Sequence, residues 1–518
     1  MTTTTSEPRH DLVPKGSPSA GGHAFVGGIW TSASFLAPYL YTTLISIVAA
    51  RILGPDDMGR QSFIAFVVIV GQTVAASGIG YSLVRHAGEL VGQRREGAIP
   101  SLVRLGWRLV LPPSLLAAVV LAGVALAGAE PRAAWLFAAA AVLAGGLNNV
   151  PVRILVGVQR WREQSIVLIV VGALSVVPTI VVLALGGGVT GMLAVTAVTA
   201  FVILAWCTQL MRGFVRGLTA AELPLGAMKS DVIRFAAATT VPVILTFVVL
   251  QRSEFFILDL FSDDSQIALY SIAFSSLAAL LALPMAVRTV VLPSVATLVG
   301  AGEFDRIRRG FSRLVRLSIL LTVPLTAAGL ALGPRLLTLV YGSQYSGAGE
   351  VLLILVAPLP LVPLSAAGSA VLMGFGRVRI PTLVSGFAAV IDIGAALILV
   401  PRLDAVGAAI ANVLAVLAAT IPLIPFCVRL LGGIDVSFRD TMRVVLVSGA
   451  AACAAALVLQ LGTGAANFVA ALVAGVASFV VLAPAVRMVP AADAEWLEAL
   501  ARDRGHGGIG NAARLLST

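Results

Sequence analysis

Five charged residues lie where the sequence is otherwise apolar, and their side chains are the ones best suited to chemistry. Arg252, Glu254, Arg288 and Asp392 fall inside long apolar stretches, and Arg153 falls near the end of another. A charge deep in a membrane-spanning helix costs about 2.5–3.5 kcal/mol on insertion scales and usually faces a bundle interior or a cavity. These five positions are therefore the first candidates for a binding or coupling site.

The arginines are suited to binding phosphate. A guanidinium keeps its charge when buried and donates two parallel hydrogen bonds to phosphate oxygens. Arg252, Arg288 and Arg153 are therefore the predicted substrate-binding residues. For the first two the alternative is a structural ion pair, for instance with Glu254 or Asp259. For Arg153 it is an interfacial position with the charge held at the membrane surface.

The two acids suggest coupling to an ion gradient. Asp392 is central in its apolar stretch, and Glu254 lies just outward of the middle of another. A buried carboxyl can take up and release a proton, or bind a cation. The alternative for Asp392 is a charge balanced by an arginine on a neighbouring helix. No spacing of Cys residues typical of a metal site occurs, and no metal or other cofactor is predicted.

These residues must be positioned by membrane-spanning helices. Hydrophobic residues make up 58% of the 518-residue chain and charged residues 12%, against roughly 25% charged in soluble domains. Long apolar runs satisfy their backbone in lipid as helices, so the sequence predicts an all-α polytopic membrane protein. The fourteen predicted spans are residues 25–50, 58–84, 104–127, 133–157, 164–186, 190–211, 236–260, 266–298, 314–333, 350–374, 381–400, 405–428, 443–461 and 466–488.

The distribution of Lys and Arg predicts the orientation of these spans. Of the 35 basic residues, 28 lie in the two terminal tails or in alternate loops. Cytoplasmic loops retain such residues, so both termini are predicted to be cytoplasmic. The net charge of +10 follows from this bias and from contact with anionic membrane lipids, and it does not indicate nucleic-acid binding. Because only two of these residues are lysines, the composition favours a GC-rich bacterial genome and a bacterial plasma membrane.

A weak internal repeat predicts two lobes. Similar segments recur in the same order at offsets of 208 to 217 residues, among them SFIAF at 62–66 and YSIAF at 270–274. Six helices separate the copies, which predicts parallel repeats related by an axis along the membrane normal. The predicted units are a disordered cytoplasmic tail, an N-lobe of six helices, an inter-lobe linker, a C-lobe of six helices, two extra helices and a cytoplasmic C-terminal tail. The first tail is residues 1–22, the N-lobe 23–212 and the linker 213–235. The C-lobe is residues 236–430, the two extra helices lie in 431–489, and the C-terminal tail is 490–518.

Three segments resemble the polysaccharide flippases of the O-antigen, capsule and exopolysaccharide type. Residues 50–86 begin with ARILGPDDMGR and end in a Gly-rich turn and an arginine, like the opening signature of that family. Residues 252–299 resemble its seventh and eighth helices, and residues 371–413 its eleventh and twelfth. The resemblance is specific for the superfamily of multidrug, oligosaccharidyl-lipid and polysaccharide exporters. The charged residues of the opening signature are expected to fix the turn between the first two helices.

The resemblance implies transport of a glycolipid. The family carries a polyprenyl-pyrophosphate-linked glycan from the inner to the outer leaflet by alternating access between two six-helix lobes. Membrane lipids, H⁺ or Na⁺, and a glycan polymerase or glycosyltransferases are the partners this implies. Two positions depart from the family pattern, because Glu254 stands where Asp is usual and Asp392 stands where Asn is typical.

Two other functions are weighed against a flippase. A multidrug exporter for organic cations would favour acidic and aromatic residues in its cavity, which fits Asp392 and Glu254 but not Arg252 and Arg288. A polytopic glycan polymerase or glycosyltransferase would need catalytic acids or bases, commonly on a substantial outer loop. The predicted outer loops are mostly under about 15 residues and contain no His. The protein is therefore predicted not to be an enzyme.

Overall fold

The computed structural model of the chain describes residues 19–218, 225–226, 228–244, 250–300, 302–377, 379–486 and 488. In these residues the regular structure is helical, in agreement with the predicted all-α fold. The α-helices are α1 (Ser19–Gly92), α2 (Ile99–Leu126), α3 (Arg132–Gly157), α4 (Trp161–Ala184), α5 (Gly188–Arg216), α6 (Met228–Ile244), α7 (Leu250–Phe261), α8 (Asp264–Gly300), α9 (Phe304–Tyr341), α10 (Ala348–Val356), α11 (Val362–Gly374), α12 (Arg379–Thr420), α13 (Leu423–Leu431), α14 (Phe438–Leu459) and α15 (Ala465–Ala485).

Two of the longest helices are interrupted by a bend. In α1 the bend is at Gly54, whose φ of 80° suits a residue without a Cβ. In α12 it is at Asp404, with a φ of 48°, and Ser262 donates a 2.8 Å hydrogen bond to the Asp404 carboxylate. Each helix therefore has two arms: residues 19–53 and 55–92 in α1, and residues 379–403 and 405–420 in α12.

The helices and arms coincide with the predicted spans in the described residues. Within the described parts of the chain, ten segments are long and apolar enough to cross a membrane, and two of these contain the bends. The seventh span corresponds to α6 and α7, and the tenth to α10 and α11 with a short 3₁₀ turn between them. The prediction of a polytopic membrane protein is confirmed. Two predicted boundaries are wrong. Helix α6 begins at Met228, within the segment predicted to link the lobes, and α1 begins at Ser19, so residues 19–22 of the tail predicted to be disordered are helical.

The helices pack as two groups joined through α1. The first five helices contact one another, and in the second group α7, α8 and α9 contact helices from α10 to α12. Helix α14 packs against α9 and α15. Contacts between the groups run mainly from α1 to α6 and α8. The division into lobes remains a prediction, and residues 1–18 and 490–518 of the predicted tails lie outside the described residues.

Candidate functional site

Two buried carboxyl groups lie side by side in the second group of helices. Glu254 on α7 and Asp392 on the first arm of α12 have no solvent-exposed surface, and their helices pack against each other. The two carboxyls are close enough to interact electrostatically. The structure thus brings together the two residues that the sequence singled out for ion coupling, and that role itself remains a prediction.

Each carboxyl accepts a hydrogen bond from a described side chain, and the Tyr270 hydroxyl also lies next to Glu254. The Ser253 hydroxyl donates to Oδ2 of Asp392 at 2.6 Å, and the Asn412 amide donates to Oε1 of Glu254 at 2.7 Å. Asn412 lies on the second arm of α12, so three helical segments converge on the pair. Ser253 and Asn412 were not predicted from the sequence. The only available signal was that each is a polar residue in an apolar span, and such residues often serve as interhelical hydrogen-bond donors.

The second oxygen of each carboxyl lacks a partner. Oε2 of Glu254 and Oδ1 of Asp392 are buried without a hydrogen bond among the described side chains. Within the described residues no Lys or Arg side chain forms an ion pair with either group. The side chains of Arg252 and Arg288 lie outside these residues, so an arginine counter-charge remains the alternative. Two buried carboxylates without compensation cost several kcal/mol. The oxygens are therefore suited to sharing protons or a hard cation.

A second polar site surrounds Arg153 on α3. The Arg153 guanidinium lies 5.5 Å from the centre of the Tyr81 ring, and its Nε is buried without a hydrogen-bond partner in the described residues. A Cβ placed on Gly80 would lie 3.2 Å from Arg153 Nε and from Asn149 Oδ1. Glycine at this position therefore lets Arg153 approach α1 closely. Nε of Arg153 thus lacks a hydrogen-bond partner in the described part of the chain, and its predicted role in substrate binding remains a prediction.

The other two predicted arginines are only partly described. Arg252 lies in α7 and Arg288 in α8, but their side chains fall outside the described part of the structure. Their predicted contact with substrate therefore remains a prediction. The position of Arg252 in the chain is informative, since it is two residues from Glu254 on the same helix.

The opening signature connects α1 to the second group of helices. Arg51 donates to the carbonyl oxygens of Leu339 at 2.6 Å and Val340 at 2.7 Å. Arg60 forms ion pairs with Asp264 at 3.5 Å and Asp259 at 3.7 Å. The expectation that these charged residues fix the turn at Gly54 is therefore incomplete, because their partners lie about 200 to 290 positions away.

The opposite end of the second arm of α1 contacts α6. The Ser82 hydroxyl donates to the Val232 carbonyl oxygen at 2.8 Å. Nε2 of the fully buried His86 lies 3.1 Å from Asp231 Oδ2. Asp231 precedes the apolar part of the seventh span. Hydrogen bonds from His86 and Arg234 lower the pKa of its carboxyl group. These contacts form a charged latch at this end of the arm.

Close packing joins the two ends. Phe66 stacks on Phe255 with ring centres 5.0 Å apart. Near the latch, a Cβ on Gly78 would lie 2.4 Å from the Ala236 carbonyl oxygen. The second arm of α1 thus runs antiparallel to the seventh span from Arg60 to His86. In the described residues the two groups of helices therefore contact each other at both ends of this arm.

The sequence matches the family described as "Polysaccharide biosynthesis protein" over residues 48–350. The chain belongs to this family. The matched region includes the opening signature, Arg153, Arg252, Glu254 and Arg288, and it ends before Asp392. No curated protein matches the chain in sequence.

Solved structures show the same fold at low sequence identity. The lipid II flippase MurJ in an inward closed conformation is 12% identical, and the alignment covers 92% of this chain and 99% of MurJ with a TM-score of 0.68. A multidrug resistance MATE family transporter of the MOP superfamily, in an inward-facing conformation, is 17% identical over 76% of this chain and 94% of its own, with a TM-score of 0.62.

A third similar structure is a MOP superfamily transporter from Pyrococcus furiosus, described as having a binding pocket of reverse polarity. It is 14% identical over 79% of this chain and 96% of its own, with a TM-score of 0.58. At such identities the likeness establishes the fold alone. Flippases and drug transporters share that fold, so the family match and the site residues must distinguish between them.

Proposed function

We propose that this protein is a flippase that moves a lipid-pyrophosphate-linked oligosaccharide from the inner to the outer leaflet of the bacterial plasma membrane. The observation that carries the proposal is membership in the polysaccharide biosynthesis family. The fold shared with a lipid II flippase supports it. The pyrophosphate of such a substrate is anionic, and Arg153, Arg252 and Arg288 would bind its oxygens through charge-assisted hydrogen bonds.

Movement would proceed by alternating access between the two groups of helices. Opening toward the side of the membrane that carries the arginine-rich loops, called the basic side below, would separate α1 from α6 at the His86–Asp231 latch. The Arg60–Asp264 contact would hold. Opening toward the other side would reverse the roles of the two contacts. A ligand shifts such a balance only through different affinities for the two states, so the substrate and a coupling ion would each favour one arrangement.

The Glu254–Asp392 pair is our candidate for the coupling site. Protonation, or binding of Na⁺, would remove the negative charge of the pair and let α7 and both arms of α12 pack tightly around it. Deprotonation or ion release would favour separation, since like charges repel in a low dielectric. Because Arg252 is part of α7, a shift of this helix on ion binding would also move the backbone of a predicted substrate-binding residue.

The main alternative is an antiporter for drugs and other organic cations. The likeness to MATE transporters fits this function, and the acidic pair could attract a cation. However, Glu254 and Asp392 are fully buried against helices, which suits a proton or a small ion better than an organic molecule. A function as a polytopic glycan polymerase or glycosyltransferase is less well supported. Such enzymes are instead proposed as partners that make or use the substrate.

Equilibrium binding to the purified protein tests the choice between flippase and antiporter. Tryptophan fluorescence would be titrated with a short-chain polyprenyl-pyrophosphate disaccharide, and separately with a lipophilic cation such as ethidium. We expect saturable binding of the pyrophosphate compound and its weakening in Arg153→Gln. Saturable binding of the cation alone, lost in Glu254→Gln, would instead favour the antiporter.

A further inference from the structure

A cavity of about 500 Å³ lies at the start of α9. Ile434 and Asp435, in the segment after α13, form one of its walls. The other wall is one face of α9, because residues three or four apart share a face of a helix. This arginine face consists of Asp305, Arg308, Arg309, Ser312, Arg313 and Arg316.

The wall opposite the arginine face is fixed by hydrogen bonds. Arg316 donates to the Asp435 carbonyl oxygen at 2.5 Å, and the Asp435 backbone N–H donates to the Ser312 hydroxyl at 2.9 Å. Gly432 and Gly433 make the turn that brings this segment to α9, with φ values of 70° and 117° that favour glycine. The cavity is therefore bounded by a defined piece of backbone.

Two arginines of the face are available to a partner. Arg308 and Arg309 are exposed, and neither forms an ion pair with a described residue, including the two acids that line the cavity. Arg313 and Arg316 have partners of their own and are not counted here. A guanidinium donates charge-assisted hydrogen bonds to carboxylates, in pairs where the geometry allows. The face is therefore suited to acidic side chains.

The last described residue of the chain lies beside this face. Met488 is buried in a cluster with Leu320 of α9 and Val444 of α14. Met488 and Arg316 also line one small cavity of about 30 Å³, which makes them neighbours. The residues that follow, 489–518, therefore start next to the arginine face.

The sequence that follows Met488 begins with acidic residues. Residues 489–501 contain Asp493, Glu495 and Glu498 but no Lys or Arg. At helical spacing Glu495 and Glu498 share one side, since they are three positions apart. The large apolar side chains of this stretch lie on another side; they are Trp496, Leu497 and Leu500. The stretch therefore has an acidic side that complements the arginine face.

The acidic residues are close enough to reach the arginines. An extended chain spans up to about 3.5 Å per residue, so Asp493 can lie up to about 17 Å from Met488. On α9 the distance from Arg316 back to Arg309 is about 10 Å, at a rise of about 1.5 Å per residue. The connection is therefore long enough without any movement of the described helices.

We propose that the acidic segment of residues 493–498 docks on the arginine face of α9. The carboxylates of Glu495 and Glu498 would accept hydrogen bonds from its guanidinium groups. A segment tethered by a short linker has an effective concentration of about 1 mM or more, which favours it over an anion that must bind from solution. Docking would join the C-terminal tail to the second group of helices, whichever substrate the protein transports.

The reactivity of a cysteine in the segment tests this docking. Ala499→Cys would be combined with Cys453→Ala, since Cys453 is exposed and the two other cysteines are buried. The full-length protein in phosphatidylcholine nanodiscs would react with a water-soluble maleimide. We expect slow labelling that high salt accelerates. Arg308→Glu/Arg309→Glu should label about tenfold faster, because charge-assisted hydrogen bonds are lost.

Reversal of the charges on both sides is the decisive arm of the experiment. Glu495→Arg/Glu498→Arg should also label faster. Its combination with the reversed arginine pair should restore slow labelling, because the pairs form again with opposite polarity. The control is Arg306→Glu, since Arg306 pairs with Glu303 at 3.0 Å and does not line the cavity. It should label as slowly as the parent protein.

Four outcomes would overturn the proposal. Equally fast labelling of all proteins would show that the segment is free, and equally slow labelling would show that something other than the arginine face covers it. Fast labelling of the fully reversed protein would show that these acids and arginines do not pair. Faster labelling of the parent on addition of phosphatidylglycerol would make a lipid head group the preferred occupant. Transport is not measured in this assay, so its failure would leave the flippase proposal standing.

Discussion

At the scale of single residues, the acidic pair is defined by what each oxygen contacts. One oxygen of Glu254 and one of Asp392 accept a hydrogen bond, and the other oxygen of each is left open. A purely structural pair of polar residues would be satisfied by its neighbours, since an unmet buried acceptor costs about 1–3 kcal/mol. The open oxygens are what a transported ion would complete.

Replacement of Asp392 by Asn tests the coupling role. Asn keeps the size of the side chain and can still accept from Ser253, but it cannot titrate or contribute a negative charge. We expect Asp392→Asn to retain substrate binding and to lose dependence on a proton or sodium gradient in reconstituted vesicles. Asp263→Asn, a change of an exposed acid, is the control. Unchanged gradient and pH dependence in Asp392→Asn would make Asp392 a structural charge.

The unpaired Nε of Arg153 gives a second residue-scale prediction. Arg153→Gln removes the charge but keeps a polar side chain against Tyr81. We expect about a tenfold loss of glycolipid transport, as for loss of one charge-assisted hydrogen bond. The control is Arg160→Gln on the same side of the bundle, since Arg160 already pairs with Glu163 at 3.3 Å. Equal loss in both variants would point to a general effect of charge rather than a binding role.

At the scale of elements, the second arm of α1 carries the contacts that must separate during transport. Gly78 lies in close contact with α6, because an added Cβ would lie 2.0 Å from Thr240 Oγ1 and 2.4 Å from a backbone oxygen. The backbone oxygen belongs to Ala236 of α6, and it can move only if the helix itself moves. A larger residue at this position therefore forces α1 and α6 apart.

Gly78→Val is expected to hold this end of the interface open. A cysteine at Ala236, which is 5% exposed in the closed contact, would then react readily with a membrane-impermeant maleimide applied from the basic side. Gly92→Ala is the control, because a Cβ at Gly92 meets open space. Slow labelling in Gly78→Val, equal to that of the control, would show that the contact tolerates the larger side chain.

The Asp231 latch gives the same interface a defined pH dependence. Hydrogen bonds from His86 and Arg234 lower the pKa of Asp231. Ionised Asp231 therefore stabilises the contact at any pH above the ordinary pKa of an aspartate. That contribution is lost as the pH falls through the lowered value. The difference in Tm between wild type and Asp231→Asn should therefore persist at neutral pH and shrink below about pH 4. A difference that grows on acidification would contradict this assignment.

At the scale of the whole molecule, the sequence predicted the helices better than the contacts between them. Run length and the alternation of arginines report directly on membrane spans, so all fourteen coincide with helices in the described residues. The cost of inserting a charge also identified Glu254 and Asp392 individually. No spacing rule connects residues on separate helices, so their contact through Ser253 and Asn412 became apparent only in the fold.

The opening signature shows the same limit. A charged motif next to a bend is most simply interpreted as local, and its pattern of Arg, Gly and acidic residues gives no indication of distant partners. In the structure Arg51 and Arg60 reach α9, α7 and α8. The motif therefore belongs to the interface between the two groups of helices, which only the packing reveals.

Movement of a glycolipid across a reconstituted bilayer tests whether this protein is a gradient-coupled flippase. Vesicles would carry a fluorescent polyprenyl-pyrophosphate oligosaccharide, and dithionite added outside would report the fraction in the outer leaflet after an ion gradient is imposed. We predict gradient-dependent transfer by the wild type, none by Arg252→Ala or Arg288→Ala at equal protein level, and partial transfer by the Lys variants, which lack the paired donors. Transfer by the wild type no faster than in protein-free vesicles, or full transfer by both Ala variants, would contradict the account.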